Sequence, residues 1–407
     1  MVRPRALPVL VLAALALASA TNAQSTRVEV VVEHDLYTSG AISAGLAQYL
    51  ADITAQGWSP VVTPWVLDTG DPNAPAALRT HLAERYTSDG LAGAVLIGHL
   101  PVATVYTDAG GSIDGEFHPC DLYYTDLDGS WTSSGAHGYL PDTHTDGTGD
   151  VGPEIWLGRL TAWNLTALHP GRTEAGLLND YFAKNHAYRT LALAVPPTGL
   201  AYTDDDWYPG NRPTALALAV EGAVTNVWND PATPGDETTA ANYKWRLANE
   251  SYEHVLLTCH SSSTAHAMSG SVASSDLEAL DPQVLFYNLY ACSAATYTDF
   301  GYIGGEYLFG AGAGLVAVGS AKTGSMQSHI LADYFGPLGL GETFGEAMLG
   351  WWNTAVDPGG HTDIERAWSY GMTVLGDPLL VTQAYIPEPA SAALLAAGAL
   401  WLLWRRR

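Results

Sequence analysis

Two short apolar runs in this chain each end in a side chain able to do covalent chemistry. Residues 252–258 (YEHVLLT) lead into Cys259-His260-Ser261-Ser262, and residues 283–291 (QVLFYNLYA) lead into Cys292-Ser293-Ala294. Both runs have the length and the aliphatic and aromatic content of buried strands. In an open α/β sheet, ligands bind in the crevice beyond the carboxyl ends of parallel strands. A histidine and a cysteine delivered there by neighbouring strands form a nucleophile–base pair. The thiolate is the attacking species, so an imidazole that removes the thiol proton and later protonates the leaving amine completes the chemistry of peptide cleavage. The developing oxyanion would be held by the backbone N–H groups of Cys292 and of Ser261, in the turn after His260. Small residues at 261–263 and 293–295 leave room for a substrate to approach. His266 is the rival base. The opposing interpretation makes Cys292 a buried structural thiol and His260 a hydrogen-bonded core residue.

These residues need a scaffold, and the pattern upstream supplies one. Strand-like runs at 27–32, 61–66 and 91–97 alternate with helix-spaced stretches at 42–53 and 72–86. Strand, helix, strand, helix, strand is the signature of a parallel sheet with crossover helices. A loop-rich region at 119–152 follows, then a strand-like run at 153–160 and a helical stretch at 174–190. The alternation restarts with runs at 199–203 and 223–228 and a helix at 238–250, before the two site strands. A further apolar run lies at 314–318 and a helix at 341–352, with Phe344, Met348, Trp351 and Trp352 on one side.

The ends read as sorting segments. Arg3 and Arg5 precede an apolar stretch at 7–18 and small residues, the layout of a secretory signal over 1–23. Near the other end, Ile386-Pro387-Glu388-Pro389 precedes an apolar stretch at 390–404 and Arg405-Arg406-Arg407. This arrangement resembles the PEP-CTERM sorting signal of Gram-negative bacteria. The resemblance implies transient membrane anchoring, processing by an exosortase-type enzyme, and a surface or extracellular destination. With 17 Lys+Arg against 42 Asp+Glu, a net charge of −25, the surface repels nucleic acid and anionic lipid, leaving the terminal segments as the contact with membrane. Three cysteines is an odd number for an exported chain; a Cys120–Cys259 disulfide would leave Cys292 as the free thiol.

The order of motifs resembles the gingipain-type branch of the caspase-like cysteine peptidases. The features that carry it are Leu256-Leu257-Thr258-Cys259-His260-Ser261 and Phe286-Tyr287-Asn288-Leu289-Tyr290-Ala291-Cys292-Ser293. Upstream lie Asp121-Leu122-Tyr123-Tyr124, Asp126-Leu127-Asp128-Gly129 and Glu154-Ile155-Trp156-Leu157-Gly158-Arg159. Downstream come Gly304-Gly305-Glu306-Tyr307, Ala317-Val318-Gly319-Ser320 and Leu375-Gly376-Asp377-Pro378. The resemblance implies a three-layer α/β/α fold with mostly parallel sheets, an N-terminal subdomain over 24–165 and a catalytic one over 166–385, followed by the sorting segment at 386–407. It implies an exported cysteine endopeptidase acting on protein or peptide substrates through His260 and Cys292. Asp204 stands where the family carries a carboxylate that supports the histidine, with Asp205 as second choice. The family has glycine on both sides of its histidine; here Cys259 and Ser261 stand there, and a turn requiring positive φ at 261 would strain the serine. That departure motivates an alternative, a catalytically silent surface or matrix protein on the same scaffold.

The mechanism requires no cofactor. Zinc held by Cys259, His260, His266 and Cys292 lacks a ligand spacing to support it. Calcium suits the Gly-rich loops better, with Asp126, Asp128, Asp142 and Asp146 as ligands, although neither loop completes an EF-hand.

Overall fold

The apolar runs become strands of one ten-stranded sheet in a computed structural model that describes residues 25–108, 115–229, 238–357, 359 and 361–386. Both sorting segments lie outside the described residues except for Ile386. Among the described residues no helix is long and apolar enough to cross a membrane.

In chain order the sheet strands are β1 (Arg27–Glu33), β2 (Ser59–Trp65), β3 (Leu91–Ile97), β4 (Trp156–Leu160), β5 (Gly199–Thr203), β6 (Val224–Trp228), β7 (Ser251–Thr258), β8 (Gln283–Tyr290), β9 (Val316–Ser320) and β10 (Met372–Gly376). Across the sheet they lie in the order β6-β5-β7-β8-β9-β10-β4-β3-β1-β2. Every pairing is parallel except β9 with β10, where Val316 faces Gly376 and Ser320 faces Met372. Strands β5–β9 therefore run opposite to β1–β4 and β10. Strands of the first half, all from before residue 161, join those of the second half through the single parallel pairing of Leu375 with Arg159.

Helices cover both faces, which is why β1, β3, β7 and β8 are near-continuous apolar runs without polar alternation. On β1, Val28, Val30 and Val32 pack into the large core shared with α1 (Ser43–Ala55) and α3 (Glu174–Arg189), while Val31 points to a second cluster with Leu78 and Leu82 of α2 (Ala74–Asp89). The result is a three-layer α/β/α architecture. β2 closes one edge; Pro60 and Pro64 remove two of its donors, blunting that edge against further strand pairing.

All three cysteines are free. The Cys120–Cys259 disulfide is thereby corrected: both thiols are buried in the core, and burial pushes Cys120 up to about 12 and Cys259 well above the ordinary thiol range. Tyr297, Tyr302, Trp351 and Trp352 are core residues too.

Candidate active site

Three neighbouring parallel strands, β5, β7 and β8, end level with one another. Thr258 is in register with Thr203 on one side and with Tyr290 on the other. His260 and Cys292 each follow two residues later, so both leave the sheet at the same rim, from strands about 4.8 Å apart. Cys292 is partly exposed, the one cysteine of the three that solvent reaches.

The cysteine loop is held from several directions. Ser293 N–H donates to Lys322 O at 2.8 Å and Ala295 N–H to Ser320 O at 2.9 Å, tying the loop to the end of β9. Thr296 Oγ1 donates to Ala321 O at 3.1 Å. Tyr297 OH donates to Asp121 Oδ1 at 3.1 Å, and Asn164 Nδ2 donates to Tyr297 O at 2.8 Å. Asp121 in turn accepts from Arg159 at 2.7 Å, and the Arg159 guanidinium lies 4.3 Å over the Tyr297 ring. These buried charges are paired and stacked, which is what makes them tolerable out of water.

Ser293 adopts φ +57°, one of three non-glycine residues at positive φ among those described. Left-handed backbone at a non-glycine residue is uncommon and costs on the order of 1 kcal/mol. The expectation of strain at Ser261 is corrected: that residue sits in a short antiparallel pairing with His266 and is not at positive φ. The strain sits beside the sulfur instead of beside the imidazole.

Lys322, two residues past β9, brings a positive charge into electrostatic contact with Cys292. Its side chain is buried, its ammonium lies 3.3 Å from Glu116 Oε1, and it donates to Thr323 O at 2.6 Å. Burial holds it below the ordinary lysine value. Nothing in the sequence pointed to Lys322 beyond its place after an apolar run in an acid-rich chain.

His260 is exposed. Its Nε2 lies 3.2 Å from Asp206 Oδ2, and the Trp207 ring stands 4.5 Å from the imidazole. The carboxylate in ion-pair range of the imidazole is thus Asp206, where Asp204 and Asp205 were expected. The turn 204–207 closes with Trp207 N–H donating to Asp204 O at 3.0 Å, and Asp204 N–H donates to Thr258 O at 2.9 Å. These bonds turn Asp204 inward: it is 2% exposed and its Oδ1 has no hydrogen-bond partner. Burial, then its neighbours Asp205 and Asp206, push its carboxyl up to about 6. The concavity that His260 lines is walled by Asp204–Asp206 and residues 267–269; Cys292 is not among its lining residues. The rival base His266 is buried, with Nδ1 3.1 Å from Ser261 Oγ and Nε2 3.0 Å from Tyr307 OH, and burial drives it down to about 3. It is a core histidine.

On the other side of Tyr290 lies Arg212, a buried guanidinium 4.4 Å over the tyrosine ring. It donates to Tyr208 O at 2.8 Å, and its Nε has no partner.

The calcium set is rearranged. Asp126 and Asp128 gather with Glu154, whereas Asp142 is half-buried and accepts from Ser134 N–H at 2.8 Å, and Asp146 stands outside the group. The chain folds back so that Asp150 N–H donates to Asp128 Oδ1 at 3.2 Å, which is what separates 142 and 146 from the cluster. Asp126 already accepts from Gly129 N–H at 2.7 Å and pairs with His144, while Glu154 accepts from Leu127 N–H.

No protein-family model matches the chain, and no curated protein matches it. One solved structure, a probable maltose operon transcriptional repressor malR from Staphylococcus aureus, aligns over 78% of this chain and 90% of its own at 9% identity, with a TM-score of 0.17. A likeness at that level carries no argument about fold or function.

Proposed function

We propose that the protein is an exported cysteine endopeptidase in which Cys292 is the nucleophile and His260 the proton carrier. The observation that supports this most is the register of Thr258 with Tyr290, from which both residues leave the sheet at one rim. In the acylation step the Cys292 sulfur gives up its proton to His260 and bonds to the scissile carbonyl carbon. The C–N bond then breaks as His260 returns the proton to the amine. Water hydrolyses the thioester, and the thiol is restored. Asp206 orients the imidazole and Lys322 places positive charge beside the sulfur. Export, exosortase processing and surface display are part of the proposal and rest on the sorting segments.

Thiol-directed labelling tests it. Iodoacetamide should modify Cys292 selectively over the buried Cys120 and Cys259, and Cys292→Ala should lose cleavage of a denatured-protein or peptide-library substrate by at least about 1,000-fold. Equal cleavage by wild type and Cys292→Ala would end the proposal. A second reading, the catalytically silent surface protein, is favoured by one observation, that the hollow beside His260 leaves out Cys292. On that reading Cys292 still alkylates, but wild-type protein leaves the whole library uncut.

A further inference from the structure

A second group of ligating side chains lies away from the cysteine. His329 stands on a short turn (Ser328–Ile330) in the connection from β9 to β10, Glu365 lies in the first turn of the helix Asp363–Ser369, and His361 immediately precedes its N-cap Thr362. One ligand atom from each of the three lies within 4.8 Å of the other two. The two imidazole rings are 5.2 Å apart, centroid to centroid.

Three features distinguish this group from a chance encounter of polar residues. First, His361 Nδ1 is buried and has no hydrogen-bond partner, a state that costs free energy unless a ligand fills it. Second, Glu365 has a fixed rotamer with one oxygen spare: Oε2 accepts from Thr362 N–H at 2.8 Å and from Thr362 Oγ1 at 2.9 Å, leaving Oε1. Third, the two segments are pinned together, since Gln327 Nε2 donates to Glu365 O at 2.6 Å.

We propose that His329, His361 and Glu365 form a binding site for a divalent transition-metal ion of the zinc type. Two imidazole nitrogens and one carboxylate oxygen are a set that such ions prefer, whereas calcium and magnesium take oxygen ligands. Bonds of about 2.0–2.1 Å around a tetrahedral ion bring ligand atoms to within about 3.5 Å of one another, so the set closes by a small movement. His329 is exposed and free to make it. The fourth position is left for water or an incoming ligand. An ion here would clamp the segment that follows Lys322 to the helix Asp363–Ser369.

The test uses the full chain carrying Cys292→Ala, so that the reactive thiol cannot bind metal. Zinc is titrated calorimetrically and cobalt(II) is added as a visible-absorption probe. One equivalent of zinc should bind, with a cobalt spectrum of low coordination number. His329→Ala and His361→Ala should each weaken binding by more than the roughly 10–100-fold seen on loss of an outer-shell partner. Glu154→Gln, in the other acidic cluster, should leave it unchanged. Thermal melts in EDTA establish that the variants are folded, and His329→Ala, at an exposed position, serves if His361→Ala is not. Unaltered zinc affinity and cobalt spectrum in folded His329→Ala overturn the proposal, as does loss of binding in Glu154→Gln alone. Because the parent lacks Cys292, the outcome is independent of whether the peptidase reading stands.

Discussion

Asp204 and Asp206 are two residues apart and do different things. Asp206 is exposed beside His260, so its contribution is that of a solvent-screened pair; on the proposed mechanism, Asp206→Asn should slow cleavage by only about 2–5-fold. Asp204 is buried, and its ionisation is opposed by burial and by like charge. Its folded value lies above the ordinary carboxylate value, so the native state holds the proton more tightly. The cost is absent at about pH 4, grows as pH rises toward about 6 and is fully present above that. Asp204→Asn should therefore stabilise the protein at pH 8 by about 1–2 kcal/mol and hardly at all at pH 4, read by urea denaturation at both values. The acidic run 204–206 was visible in the sequence. Which carboxylate meets the imidazole was not, because a turn one residue tighter or looser would exchange their directions.

At the scale of elements, the motif at 375–378 ties the middle of the molecule together. Gly376, at φ +105°, ends β10 where an added Cβ would meet Leu315 O at 2.2 Å, so no side chain fits. Asp377 then turns into the core. It accepts from Tyr49 OH of α1 at 3.0 Å, from Asn185 Nδ2 of α3 at 2.8 Å, and from the Arg189 guanidinium. Asp377→Ala would strand Arg189 as a buried unpaired cation and should cost about 3–5 kcal/mol in equilibrium unfolding, with Asp377→Asn costing less. Strands β3 and β5 were legible to the residue, and helix 174–189 within one, because each is an uninterrupted run or a clear helical period. β10 was not read as a strand. It is five residues long, and it owes its place to partners β9 and β4, more than 50 and more than 200 residues earlier, a distance at which local periodicity says nothing. The same holds for Lys322 and for the 329/361/365 group, which only the fold brings to their partners.

Across the whole molecule, buried titratable groups set opposing limits on stability. Burial holds Glu174 and Glu253 up at about 7 and Glu306 at about 8. Raised carboxyls stabilise the fold while protonated, and that advantage is lost as pH climbs through their folded values. His118, His254 and His266 are driven down to about 3. They are neutral in the fold but take up protons in the unfolded chain below about 6.5, so stability falls as pH drops from there. The unfolding free energy from urea denaturation should be greatest near pH 5–6, with a decline of about 3 kcal/mol by pH 9 after discounting for solvent screening. A profile that rises steadily from pH 5 to pH 9 would contradict this assignment of the buried carboxyls.

The reversal of strand direction between β9 and β10 gives the sheet two sets of carboxyl termini on opposite rims. One rim carries His260 and Cys292; the other receives β3 and β4 and holds Gly98, His99 and Trp163, with the His99 and Trp163 rings stacked at 4.1 Å. The two rims are nevertheless joined: Asn164, next to Trp163, donates to Tyr297 O in the cysteine loop, and Tyr302 OH donates to Thr161 O. A substitution at Asn164 would therefore be felt at the rim that carries Cys292, through the loop that spans the thickness of the sheet.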